Sequence, residues 1–124
     1  MKKLLTTLTL LFLTLGTAWG GAREDGFAAA ESKDYATAFK LWRPLAEQGD
    51  AVAQSNLGVM YRTGQGVLQD YARAHMWLNL ASAAGGSKYG TENRDILANK
   101  MTPQQIEKAQ GMAKACQASN FKGC

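Results

Sequence analysis

Apolar residues along most of this chain recur at steps of three and four, the period of a helix with one buried face, and the two-residue alternation of strands is hard to find. Phe27 and Ala30 suit a short first helix that turns at residues 32–34. Tyr35, Ala38, Trp42 and Leu45 then share one face of a second helix; Pro44 should bend it rather than stop it, because the face continues past the proline, and Gly49 ends it. Ala53, Leu57, Met60 and Tyr61 make the stripe of a third helix. Gly58 sits in its middle, where it costs roughly 1 kcal/mol relative to Ala, and such a glycine implies the close approach of a neighbouring helix. Gly64 and Gly66 supply the next turn, Asp70 is the cap of a fourth helix lined by Tyr71, Ala74, Leu78 and Ala81, and Gly85 and Gly86 close it. A fifth helix over about Ser87 to Lys100 should turn Tyr89, Asn93, Ile96 and Leu97 inward. The sixth has the strongest start signal: Thr102 as cap, Pro103 at the first helical position, Gln105 to return the capping bond, and a stripe of Ile106, Ala109, Ala113 and Cys116.

The first twenty residues follow another rule. Two lysines, an apolar stretch from Leu4 to Leu15 and small residues at Ala18, Gly20 and Ala22 describe a secretory signal peptide cleaved after Gly20 or Ala22. The apolar stretch is rich in Thr and shorter than the roughly 20 residues of a membrane-spanning helix, so no membrane insertion is expected after cleavage. No Cys lies near the cleavage site, so a lipid anchor is not indicated. The expected organisation is a signal peptide over 1–20 and one helical domain over 21–124, in a periplasmic or secreted protein.

Removing residues 1–20 takes away Lys2 and Lys3 and lowers the formal charge from +4 to +2, with the remaining basic residues scattered singly from Arg23 to Lys122. A nucleic-acid surface needs a clustered basic face, and none is written here. Cys116 and Cys124 stay in the exported chain, where an oxidising compartment favours a disulfide; a loop this short contributes about 2 to 3 kcal/mol, enough to pin a tail. With only His75 far upstream, the two sulfurs do not make a four-ligand metal set, and no cofactor is indicated.

"DYATA" at 34–38 recurs as "DYARA" at 70–74, and the same offset of 36 carries Leu41 to Trp77 and Gly49 to Gly85. A period in this range denotes stacked helical hairpins, each too thin to bury its own face alone. These residues resemble the Sel-one-like repeat family, relatives of the tetratricopeptide repeats: "AVAQSNLGVMY", "GQGV", "QDYARA" and Trp77 within 51–85 follow its pattern. "DYATAFKLWRPLAEQGDAVAQ" resembles the preceding second helix, and "NRDILANKMTPQQIEKAQGMA" the C-terminal cap of many exported bacterial members. The resemblance implies an all-α fold, a short α/α superhelical solenoid of about three hairpins, and a concave face that binds a protein or peptide without enzymatic activity. A cysteine-rich branch of the family has been linked to penicillin binding and β-lactam hydrolysis, which makes a weak β-lactam or cell-wall hydrolase the alternative; that branch places a disulfide inside every repeat, and this sequence has none there.

Individual residues favour packing over chemistry. Ser119 and Lys122 form the one Ser-x-x-Lys, without the Ser-Asp-Asn or Lys-Thr-Gly partners of such hydrolases. His75, alone on its helix, reads as a solvated or satisfied side chain. Tyr61, Tyr71 and Trp77 lie on the packing stripes and are expected in the core rather than on a sugar-stacking surface. Ser55, Asn56, Val59 and Arg62, with Val52 beside them, are the positions of the third helix that the stripe leaves free, and are the candidate partner-binding residues. Three hairpins are few for a solenoid, so self-association through an uncapped end is a further expectation.

Overall fold

The computed structural model describes residues 21–85 and 88–124, and six helices with no strand are found among them. The predicted signal peptide, Gly86 and Ser87 lie outside the described residues. Helix α1 covers 21–31; α2 is Tyr35–Glu47, α3 Ala51–Thr63, α4 Tyr71–Ala83, α5 Lys88–Ala98 and α6 Pro103–Ala118. Their ends obey local chemistry. Asp34, Asp50 and Asp70 cap α2, α3 and α4, each carboxylate accepting from a backbone N–H three residues on, which satisfies one of the donors that a helix start leaves open. Thr102 and Gln105 form the reciprocal box at α6, at 3.2 and 2.9 Å.

Helix α2 continues three residues past Pro44 and then stops in a two-bond wrap, with Asp50 N–H donating to Leu45 O and Gly49 N–H to Ala46 O. Gly49 has φ +89° there and Gly85, at the equivalent end of α4, has φ +70°. The repeat read from sequence is therefore a repeat of caps and stops as well as of apolar positions.

Packing joins α3 to α2, α4 and α5, while α4 meets α3, α5 and α6. Helix α4 is consequently buried almost all round, from Ala74 through Leu78 and at Leu80 and Ala81, which is why its hydrophobic pattern is only weakly one-sided. Helices α5 and α6 both lean chiefly on α4 rather than on each other. The core runs through Trp42, Leu57, Tyr61, Trp77, Leu78, Leu97 and Ala113, where each fully buried leucine stabilises the fold by roughly 1.5 to 3 kcal/mol.

Close approach is set by glycine. A Cβ on Gly58 would lie 2.6 Å from Leu78 Cγ and 3.1 Å from the Ala74 carbonyl oxygen, so α3 and α4 can meet this closely only without it. Gly26 of α1 sits in the same relation to Trp42 of α2. Leu78 is 36 residues after Trp42, but Gly58 is only 32 after Gly26, because the α3–α4 loop is four residues longer than the α1–α2 turn. That inserted length hid the equivalence of the two glycines from a comparison at fixed offset.

The tail behaves as its cysteines suggested. Cys116, at the end of α6, is bonded to Cys124 with Cα atoms 5.7 Å apart, and the turn between them passes through Asn120 and Phe121 in left-handed backbone conformation. The Phe121 ring lies over Gly49, and Lys122 Nζ reaches Glu47 O at 3.5 Å, so the closed loop fastens the last residues against the end of α2.

Candidate functional site

The residues of α3 expected to be free divide on inspection. Val52 is 36% exposed, and Asn56, Val59 and Arg62 are half-buried along one side of the helix. Ser55 is not on that surface: it is 1% exposed, and a Cβ on Gly90 of α5 would sit 2.7 Å from its Oγ. The α3 pattern alone left Ser55 outside the stripe because its covering partner is a third helix rather than the one paired with α3.

Helix α5 gives the complementary correction. Gly90 and Leu97 are its buried residues, whereas Tyr89 and Ile96 are 50% and 52% exposed and Asn93 is half-buried, its amide donating to Tyr89 O at 2.9 Å. Position 90 abuts both Ser55 of α3 and Ala81 of α4, and Arg94 reaches Asn79 and Ser82 of α4. The stripe Gly90–Arg94–Leu97 therefore faces the protein, with α4 on the Arg94 flank, and Tyr89, Asn93 and Ile96 occupy the flank toward α3. The small residue won the inward position because it admits two helices at once; the large apolar residues beside it were left at the surface. A glycine at i with Arg at i+4 and Leu at i+7 was the signal available for that face.

By helical register, Val52, Asn56 and Val59 on α3 and Tyr89, Asn93 and Ile96 on α5 flank the contact of Ser55 with Gly90 on the side away from α4. Two buried donors of α3, Asn56 Nδ2 and Arg62 Nε, make no hydrogen bond among the described residues. A buried donor left unpaired costs about 1 to 3 kcal/mol, a cost that a partner's carbonyl oxygen would remove. Terminal amide torsions are soft, so Asn56 can turn its donor outward without disturbing α3.

The remaining candidates fall elsewhere. Tyr61 and Trp77 are 5% and 1% exposed and Tyr71 is half-buried, so these rings serve the core. His75 is neither solvated nor satisfied: it is 4% exposed, and its Nδ1 has no partner. Burial, reinforced by the Arg94 guanidinium and opposed by Asp95, holds its pKa below the ordinary imidazole value. The Ser119 hydroxyl lies 2.8 Å from Lys122 O and 3.0 Å from Cys116 O, donating to backbone carbonyls at the end of α6, while the Lys122 ammonium points to Glu47 O. Among the described residues no group of three or more His, Cys, Asp or Glu is placed to hold a metal, and no helix is long and apolar enough to cross a membrane.

Stacked helical pairs of this kind, with a glycine at each close crossing, have a counterpart among known families. The Sel1 repeat family model matches residues 20–50 and 51–86. The chain belongs to the Sel1 repeat family. Both matched segments end at a left-handed glycine or one residue beyond it, and the second contains the whole α3–α4 hairpin. The structure is similar to the crystal structure of a protective antigen present in uropathogenic Escherichia coli strains and displaying an SLR fold. The TM-score is 0.74 and the sequence identity 31%, over 83% of this chain and 24% of the antigen's. This Sel1 repeat chain therefore spans about a quarter of that protein's length. Among curated proteins none matches it.

Proposed function

We propose that this Sel1 repeat protein is an exported adaptor that holds another protein or peptide, in the cell envelope or outside the cell, on the face shared by α3 and α5. The observation carrying this reading is the pairing on one surface of half-exposed Val52, Tyr89 and Ile96 with the unpartnered donors of Asn56 and Arg62. Apolar contacts surrounded by unpaired donors suit an extended peptide, whose carbonyls need partners and whose alternate side chains need apolar cover. Membership of the Sel1 repeat family supports a role in protein–protein interaction. The disulfide supports an oxidising compartment, and with it the signal peptide over residues 1–20.

Crosslinking a tagged chain in its native envelope tests the adaptor directly. One or two proteins should be recovered in near-stoichiometric amount, and Asn56→Ala with Arg62→Ala should lose them without lowering the melting temperature. Undiminished recovery by the double variant would remove these residues from the site. The exported chain should begin at Gly21 or Arg23 by intact mass. Turnover of a chromogenic β-lactam that disappears in Ser119→Ala would replace the adaptor by the hydrolase.

A further inference from the structure

A second surface lies on the opposite side of α3. Tyr61 stands nine residues after Val52, half a turn round the helix from the Val52–Asn56–Val59 stripe, and forms the floor of a groove of about 440 Å³. Phe39 and Arg43 of α2, the loop residues Val67 and Leu68, and Arg73 of α4 complete its walls. Phe39 and Tyr61 meet edge to face with centroids 5.8 Å apart. Each ring carries a guanidinium over it, Arg43 above Phe39 and Arg73 above Tyr61, both at 5.8 Å. Stacking on a ring fixes a flexible arginine while leaving its edge free to donate.

Those edges are largely unused. Arg43 contacts Glu47 through Nε at 3.1 Å, and Arg73 approaches Asp70 through Nε at 3.9 Å; the Nη nitrogens of both have no partner among the described residues. Among the described residues Asp70 is the only carboxylate lining the groove, and its Oδ1 is already accepting from Arg73 N at the start of α4. Two guanidiniums and one committed carboxylate thus line the groove, with Glu47 outside that lining on the Nε side of Arg43.

Leu68 adds an apolar contact where solvent would not place one. It is 90% exposed, yet its loop is tied down on both sides: Gln69 Nε2 donates to Arg62 O at 2.8 Å, Asp70 N–H to Tyr61 O at 2.9 Å, and Gly66 is pressed against the Tyr35 carbonyl. This is the same four-residue extension that separates the α3–α4 loop from the α1–α2 turn. A pinned loop thus holds a leucine in water beside the guanidinium edges of Arg43 and Arg73.

We propose that this groove docks an acidic segment of a partner protein in which Glu or Asp flanks an aliphatic or aromatic residue. The carboxylates take the Nη edges of Arg43 and Arg73, and the apolar side chain covers Leu68 and Val67. This site is independent of the α3–α5 face.

Fluorescence anisotropy with a labelled decapeptide holding Glu-Leu-Glu in a Gly-Ser background, against its Gln-Leu-Gln counterpart, tests it on the purified chain. The Glu peptide should bind about tenfold more tightly, through two charge pairs that weaken with added salt. Arg43→Gln with Arg73→Gln should abolish the preference without moving the thermal melt, Leu68→Ser should weaken both peptides, and Asn56→Ala with Arg62→Ala should leave binding unchanged. Equal affinity for the two peptides, absence of binding, or full binding by the arginine double variant would overturn the proposal. A sedimenting dimer that Leu68→Ser dissolves, with no peptide bound, would assign the groove to a second copy instead.

Discussion

Replacing Gly58 by Ala should destabilise the protein even though alanine is the better helix former. The new methyl would stand 2.6 Å from Leu78 Cγ, 2.8 Å from Leu78 Cδ2 and 3.1 Å from Ala74 O. Carbon atoms rest about 3.5 to 4.0 Å apart, so α3 and α4 would have to separate by about 1 Å or Leu78 would have to leave its position. Leu78 is fully buried, and the carbonyl oxygen belongs to the backbone, so neither gives way cheaply. Overpacking costs about 1 to 3 kcal/mol, and with backbone among the crowded atoms the upper part of that range applies; the propensity gain returns about 1 kcal/mol. The net loss of about 1 to 2 kcal/mol corresponds to a melting temperature lower by about 4 to 15 °C in a domain of this size. Thermal unfolding followed by circular dichroism measures it. Gly111→Ala in α6 is the matched control: nothing lies within 4 Å of its Cβ position, so only the propensity gain acts and the melting temperature should rise by about 4 to 8 °C. A Gly58→Ala protein melting at or above the parent would refute the close-approach argument. Leu78→Ala alone should cost about 2 to 5 kcal/mol, and combined with Gly58→Ala it should cost less than the sum, because the methyl enters the space the leucine vacates. Strict additivity would mean that Leu78 is not what the methyl meets.

Two further outcomes follow from groups already described. His75 is held neutral by burial, so the unfolded chain takes up a proton that the fold refuses once the pH drops below about 6.5; stability is full above that value and declines as the pH falls toward the lowered pKa. His75→Phe should flatten the acid limb of a melting-temperature profile between pH 7.5 and 5, and an unchanged slope would remove His75 as its source. Cys124→Ser should cost about 2 to 3 kcal/mol for a cross-link of separation 8, release the left-handed turn at Asn120 and Phe121, and leave far-ultraviolet helicity nearly constant. Equal melting of the parent with and without reductant would show that the tail adds nothing to the fold.

Helix positions, caps and stops were legible in the sequence because each is decided within a few residues. The caps Asp70 and Thr102 reach their own N-terminal turns, as do Asp34 and Asp50, whose capping the apolar pattern did not single out, and the left-handed glycines at 49, 64 and 85 need no distant partner. The 36-residue repeat, the need for a close neighbour at Gly58 and the pairing of Cys116 with Cys124 were legible for the same reason: each joins elements adjacent in the chain. What the tertiary structure alone decided is which flank of a helix meets a third element. Periodicity ranks the apolar residues of α5 and turns Tyr89 and Ile96 inward, but the contact with Ser55 and Ala81 leaves room only for Gly90, so the larger side chains go to the surface and the partner face changes membership. His75 is buried for a related reason, since α4 is covered from three sides and has no free face on which to place it. The groove of Arg43 and Arg73 depends likewise on where the α3–α4 loop lies across α2, a relation between segments that no single helical pattern records.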